Sequence, residues 1–203
     1  MKLLHISDTH GLHNELKHLP DADILVHSGD FTLDGKEQEA LDFINWLCDL
    51  PHRHKIFIAG NHDLCMYDAG INGLPDNVHY LNNSHVTIEG LKIHGMPMFS
   101  EDIISGDDIK NTEAIPDDAD IVVTHQPPMG ILDLSEGINY GCMFLLARIT
   151  AVSPACHLFG HVHNSYGITH IGNTIFSNAA VLDEDYRLKN EPRLLYLNKK
   201  QHS

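Results

Sequence analysis

Positive charge is scarce in this chain: 13 lysines and arginines stand against 28 aspartates and glutamates over 203 residues, a formal net charge of −15. So acidic a chain is a poor electrostatic partner for a nucleic-acid backbone or an anionic membrane surface. Long apolar runs are missing too, and none approaches the roughly 18 residues of a membrane span. The opening Met1-Lys2-Leu3-Leu4-His5-Ile6-Ser7-Asp8 turns polar too soon for the apolar segment of a secretion signal. A soluble cytoplasmic protein with no membrane partner is therefore expected. Cysteine is sparse and scattered; Cys48, Cys65, Cys142 and Cys156 form no C-x-x-C pair and read as free thiols in a reducing compartment. Asn82-Asn83-Ser84 matches a glycosylation acceptor in form, but without an export signal it reads as a turn. Repeats, low-complexity tracts and linkers are absent, so residues 1–203 are expected to form one domain, with nothing in them fixing an oligomeric state.

Hydrophobic residues make up 42% and charged residues 20%, a globular balance with no mark of disorder. Three β-rich segments open the chain, and each runs into a polar cluster. Residues 2–6 lead to Ser7-Asp8-Thr9-His10-Gly11, residues 23–27 to Ser28-Gly29-Asp30, and residues 55–59 to Gly60-Asn61-His62-Asp63. Between the last two, residues 36–50 place Ala40, Phe43, Ile44, Leu47 and Cys48 at helical spacing. This alternation predicts an α/β fold with parallel or mixed strands at its centre. Short strands are predicted over 78–81, 85–89, 91–94 and 121–124, the last ending at His125-Gln126-Pro127-Pro128. Residues 95–118, rich in Gly, Pro, Asp and Asn, read mostly as surface loop. A helix is predicted over 141–152 and a strand over 157–159, ending at Gly160-His161-Val162-His163. Residues 167–171, 174–177 and 193–197 read as antiparallel strands.

In open α/β sheets, ligands gather beyond the carboxyl ends of strands. All the polar clusters fall at such ends: Asp8/His10, Asp30, Asn61/His62/Asp63, His125 and His161/His163. They supply carboxylates, imidazoles and one amide but no thiolate, a donor set for divalent Mn, Fe or Zn. Asp8 and His10, two apart at a strand end, can reach the same side. Gly11, Gly29, Gly60 and Gly160 accompany them, as sharp turns or close approaches require. Each motif alone has a bland reading: a turn or cap for Asp8-Thr9-His10, turn formers for Asn61 and Asp63, loop imidazoles for His125, His161 and His163. Their joint order, each at a strand end, leaves chance a small share. Metal-holding carboxylates would also explain how so acidic a chain attracts an anionic substrate.

This ordered set resembles the calcineurin-like metallophosphoesterases from residue 1 to about residue 180. Within them the likeness is to the small brain-type metallophosphoesterase-domain proteins grouped with class III cyclic-nucleotide phosphodiesterases. The stretches that carry it include Gly29-Asp30-Phe31-Thr32, Ala59-Gly60-Asn61-His62, His125-Gln126-Pro127-Pro128-Met129-Gly130 and Phe159-Gly160-His161-Val162-His163. The resemblance implies a four-layer sandwich, two mixed β-sheets packed face to face with helices outside. It implies two divalent ions, Mn²⁺ foremost with Fe, Zn or Ni as alternatives. Asp8, His10 and His163 would hold the first, Asn61, His125 and His161 the second, and Asp30 would bridge both. His62 would be the catalytic acid rather than a ligand, with Asp63 orienting it. Some vertebrate members of the group carry Gly where this chain has His161, so its ligand set is complete.

The implied activity is metal-dependent hydrolysis of a small phosphoester, with a diester such as a cyclic nucleotide as first reading. A phosphomonoesterase or nucleotide-pyrophosphate hydrolase is the alternative; a nuclease and a non-catalytic scaffold rank below it. Phe43 and Trp46 read as core. Cys65, Tyr67, Asn164 and Tyr166 are weaker candidates for the pocket rim, and the loops 96–118 and 127–140 are long enough to border it.

Overall fold

The computed structural model describes residues 1–197. In chain order the elements are strands β1 (Lys2–Ile6) and β2 (Ile24–His27), helix α1 (Glu37–Asp49), and strands β3 (His54–Phe57), β4 (Val78–Tyr80), β5 (Ser84–Ile88) and β6 (Leu91–Met96). Helices α2 (Ser100–Ser105) and α3 (Asp107–Glu113) follow, then β7 (Ile121–Thr124), β8 (Leu134–Ser135) and β9 (Ile138–Asn139). Helix α4 (Met143–Val152) and strands β10 (Cys156–Phe159), β11 (Gly167–Ile171), β12 (Thr174–Asn178) and β13 (Arg193–Tyr196) complete the order. One sheet runs β13-β1-β2-β3-β4 and the other β11-β12-β10-β7-β6-β5. Both are mixed: their central strands are parallel, and β13, β11 and β5 lie antiparallel at the edges.

The period-2 alternation of side chains sorts these strands into four layers. Leu3, Ile24, Val26 and Ile56 point from the first sheet onto Ile93, Ile121, Val123 and Leu158 of the second. Their neighbours Leu4, Leu25 and Phe57 point the other way, onto Phe43 and Leu47 of α1. On the outer face of the second sheet, Val122, Phe159 and Phe176 pack on Leu145 and Ile149 of α4. Runs buried on both faces, as parallel strands require, are therefore continuously apolar. The α/β four-layer sandwich is the expected architecture.

Two expectations are corrected. Residues 95–118 are not mostly loop. Strand β6 runs on to Met96, and α2 and α3 meet at Gly106, whose φ of 79° ends one helix and starts the next. Ile115 and Phe99 anchor this segment in the core. Of the strands read as antiparallel, β12 pairs antiparallel with β11 but parallel with β10. Asn82-Asn83 does form a bend, with Asn83 at φ 47°.

Candidate metal centre

The carboxyl ends of β1, β2, β3, β7 and β10 open at one end of the sandwich, and there the expected residues converge. Asp8, His10, Asp30 and His161 all adopt left-handed backbone, with φ of 55°, 40°, 57° and 67°. Non-glycine residues hold such values only where the surroundings fix them, and such strain clusters at functional sites. Crossed backbone bonds do the fixing: Asp8 N–H donates to Gly29 O, His10 N–H to Asp30 O and Gly160 N–H to His125 O. Glycine is needed for close approach. A Cβ on Gly160 would lie 2.0 Å from Asp8 Oδ2, and one on Gly60 would lie 2.2 Å from Asp30 Oδ1.

Hydrogen bonds set the imidazole tautomers. Backbone carbonyls only accept, so Nδ1 carries the proton in His10 (to Thr32 O, 3.1 Å), His125 (to Ser28 O, 2.8 Å) and His163 (to Asp183 O, 2.9 Å). Each ring thereby turns Nε2 to the cluster, where His10 Nε2 is buried without a hydrogen-bond partner. His125 Nε2 lies 3.1 Å from Asp30 Oδ2, 3.1 Å from Asn61 Oδ1 and 4.0 Å from Asp8 Oδ1. His163 Nε2 lies 3.3 Å from Asp8 Oδ1, and His10 Nε2 lies 3.7 Å from Asp30 Oδ2. Nitrogens and oxygens packed this closely need positive charge between them, whether a proton or a cation. Donor chemistry, orphaned nitrogen and glycine cradles together fit divalent cations.

The titration behaviour reports the negative charge gathered here. Burial opposes charging His125, yet the Asp30 and Asp8 carboxylates push it up to about 10. Burial likewise opposes ionising Asp8, but its bond to His163 and the nearby His125 hold it below the carboxylate range. Burial lowers His161 to about 4, keeping it neutral as a ligand must be.

Three groups of side chains bring ligand atoms within 4.8 Å of one another: Asp8-His10-His163, Asp30-His125-His161 and His10-Asp30-His62. With Asn61 on His125, all seven expected ligands and His62 come together. Asp63 has a different place from the one expected. The His62 ring is held by Nδ1–H donating to Leu33 O (3.0 Å), not by Asp63. Asp63 instead accepts from Gly60 N, Asp30 N, Phe31 N, Thr32 N and Thr32 Oγ1, tying the β2 and β3 loops together beneath the cluster. Burial and the Asp30 charge push its carboxyl up to about 7 against those donors.

A cleft of about 260 Å³ opens beside His161 and His163, with Ser135, Tyr140, Asn164, Glu184 and Tyr186 on its walls. The loop 127–140 therefore borders the site, and so does Asn164. Tyr166 is turned away, its hydroxyl on Glu191 O and its ring under Arg193. Cys65 packs in the core beside α1, and Tyr67 lies against Phe99. Phe43 and Trp46 are core as read, Phe43 stacked on Phe31 at 4.3 Å.

Sequence reasoning missed the turn Asp183–Arg187, whose Asp183 O holds His163 and whose Tyr186 ring meets His10 at 4.8 Å. Its only local signal was the run Asp183-Glu184-Asp185, which any turn shares. Reading by strand ends also passed over the buried His5, His27 and His157, which hydrogen-bond Ser28 and Ser177, Thr9, and Thr124 under the cluster.

Fold and site define a metal-dependent phosphoester hydrolase, and comparison with known proteins agrees. The calcineurin-like phosphoesterase family matches residues 1–165, and the chain belongs to that family. A UPF0046 protein of Caenorhabditis elegans is 34% identical over 98% of this chain and 76% of its own. Metallophosphoesterase domain-containing protein 1 of Homo sapiens is 33% identical over 95% and 69%. In fold, the solved structure of TT1561 from Thermus thermophilus superposes with a TM-score of 0.57 at 13% identity, covering 88% of each chain.

Proposed function

We propose that this protein is a dinuclear-metal phosphodiesterase acting on small diesters, cyclic nucleotides among them. Asp8, His10 and His163 would hold one cation, Asn61, His125 and His161 the other, with Asp30 shared. The observation that carries this reading is the position of Asp30. Its Oδ2 lies 3.1 Å from His125 Nε2 on one side and 3.7 Å from His10 Nε2 on the other. Strands β11 and β12 complete the second sheet beyond the family match and β13 completes the first, which supports one domain over the described residues 1–197.

When bound, such cations supply Lewis acidity, neutralising phosphoryl oxygens and making water acidic enough to attack near neutral pH. The chain's own part begins with two buried carboxylates, Asp8 and Asp30, whose charge draws the cations in. His62 presents Nε2, the nitrogen that Leu33 leaves free, as the candidate donor to the phosphoryl oxygen or the departing alkoxide. Its backbone N–H donates to Asp30 Oδ1 (2.8 Å), so the acid and the shared carboxylate keep a fixed separation.

Metal analysis of purified protein is expected to find two ions per chain, with manganese giving the highest turnover of a nitrophenyl diester. Faster turnover of the matched monoester would overturn the diester assignment, and no metal-dependent hydrolysis would overturn the enzyme reading. His62→Ala is expected to lower kcat by roughly 10²–10⁴ with bound metal unchanged. Unchanged turnover would remove His62 from the chemistry.

A further inference from the structure

The candidate ligands are divided between the two sheets. Asp8, His10, Asp30 and Asn61 follow β1, β2 and β3 of the first, whereas His125, His161 and His163 follow β7 and β10 of the second. Each proposed cation therefore draws on both sheets: Asp8 and His10 with His163 across the seam, and Asn61 with His125 and His161. How the sheets seat on each other sets the distances between these ligands. Deeper in the seam the contact is apolar, with Leu3, Ile24 and Val26 against Ile93, Ile121 and Leu158. Apolar burial is non-directional. It holds the sheets together without by itself choosing among small slides of one on the other.

Beneath the cluster the seam turns polar. His5, on the same face of β1 as Leu3, joins two hydroxyls: its Nδ1 lies 2.9 Å from Ser177 Oγ and its Nε2 2.9 Å from Ser28 Oγ. All three residues are wholly buried. Burial lowers the His5 pKa to about 3 despite the nearby Asp8 carboxylate, so the ring is neutral and offers one donor and one acceptor, one for each hydroxyl. Ser177 belongs to β12 of the second sheet, and Ser28 directly follows β2 of the first. Ser28 O accepts from His125 Nδ1 across the seam (2.8 Å), and two residues on stands Asp30, whose Oδ2 lies 3.1 Å from His125 Nε2. A backbone bond from Val181 N–H to Ser7 O joins the segment after β12 to the same strand end; His5 adds the tie that reaches Ser28. Hydrogen bonds are directional, and a satisfied buried network specifies one arrangement. We infer that His5 is a positioning residue for the metal centre, a strut between Ser177 and Ser28 that fixes the two sheets where His125 meets Asp30. The inference rests on the metal-binding part of the proposed function and not on the choice of ester.

Ser177→Ala and Ser28→Ala each remove one oxygen of the strut and keep every candidate ligand. Mn²⁺ titrated calorimetrically into the metal-free full chain should bind either variant about tenfold more weakly, the lower end of what losing a metal site's support costs. The double variant should lose little more, because cutting either end releases the strut. Ile93→Ala, an apolar truncation in the same seam, should lower the melting temperature and leave Mn²⁺ affinity near the parent's. Electron paramagnetic resonance of the Mn²⁺-saturated parent should show two ions coupled to each other. The coupling should change in the serine variants, which lost stability alone would not produce. Parent-like affinity in both serine variants would overturn the inference. An equal loss of affinity in Ile93→Ala would overturn it too, by reducing the strut to ordinary packing. If the parent binds two ions, the serine variants weaken them and no phosphoester is hydrolysed, the reaction reading falls and the strut assignment stands. A parent that binds no Mn²⁺ removes the metal centre and the inference together.

Discussion

Each oxygen of the Asp63 carboxylate is used at least twice. Oδ2 accepts from Gly60 N (2.8 Å) and Asp30 N (2.9 Å), and Oδ1 accepts from Thr32 N and Thr32 Oγ1, both at 2.8 Å. An amide in its place turns an NH₂ group towards a backbone N–H whichever way it is flipped, leaving a buried donor without an acceptor. Asp63→Asn should therefore cost about 1–3 kcal/mol, or roughly 3–10 °C in Tm for a chain of this size. It should also loosen Asp30 and weaken cation binding. An unchanged melting temperature would show that these bonds contribute nothing net. From the sequence, the Asn-His-Asp spacing marks Asp63 as important but not why, because every partner except Gly60 lies 31 to 33 residues upstream. His125 was legible as a candidate ligand for the opposite reason: donor chemistry and strand-end position are both local, although its partners Ser28, Asn61, Asp30 and Asp8 are all distant in sequence.

Strand-to-loop junctions are the elements in which sequence and structure agree best. An apolar run followed by a polar cluster, with a glycine in it at β1, β2, β3 and β10 and a double proline after it at β7, reports a local event, a buried strand leaving its sheet through a sharp turn. Helices α2 and α3, of six and seven residues, were not legible. Helices this short gain little from propensity and form through tertiary packing, here through Phe99, Ile115 and the Thr112 side chain against Met96. The Asp183–Arg187 turn escaped detection because its meaning lies in what it meets. Where strand-end glycines carry the architecture, substitution should show it. In Gly160→Ala the added methyl would meet Asp8 Oδ2 and Ser7 Oγ within about 2.1 Å, both in rigid buried backbone surroundings. We expect cation affinity to fall by about 10-fold or more through displacement of Asp8, on the scale seen when metal-site supports are lost. Calorimetric titration of Mn²⁺ checks this, and parent-like affinity would mean that the turn yields without moving the carboxylate.

At the scale of the whole molecule, the buried histidines make folding a proton-linked event. Burial lowers His5, His27 and His157 to about 3 and His94 and His161 to about 4. Unfolded, each would titrate near 6.5. The unfolded chain therefore binds more protons than the folded one below pH 6.5, and stability falls with pH across the interval down to 4 or 3. Asp63, raised to about 7, works in the opposite sense, since the folded chain takes up its proton first. His125, raised to about 10, is protonated in both states well below 6.5 and adds no slope there; its contribution is lost progressively as pH rises from 6.5 to 10. The lowered histidines outnumber Asp63, so unfolding at pH 5 takes up several protons, each worth about 1.4 kcal/mol per pH unit. Set against a typical total stability of roughly 5–15 kcal/mol, that slope should bring metal-free protein close to unfolding by pH 5 although it melts cooperatively at pH 7. Denaturant titrations at half-unit steps from pH 7 to 5 measure it. His157→Gln should flatten the curve by about 1.4 kcal/mol per unit, and a parent curve flat over that range would mean that these imidazoles are charged inside the fold.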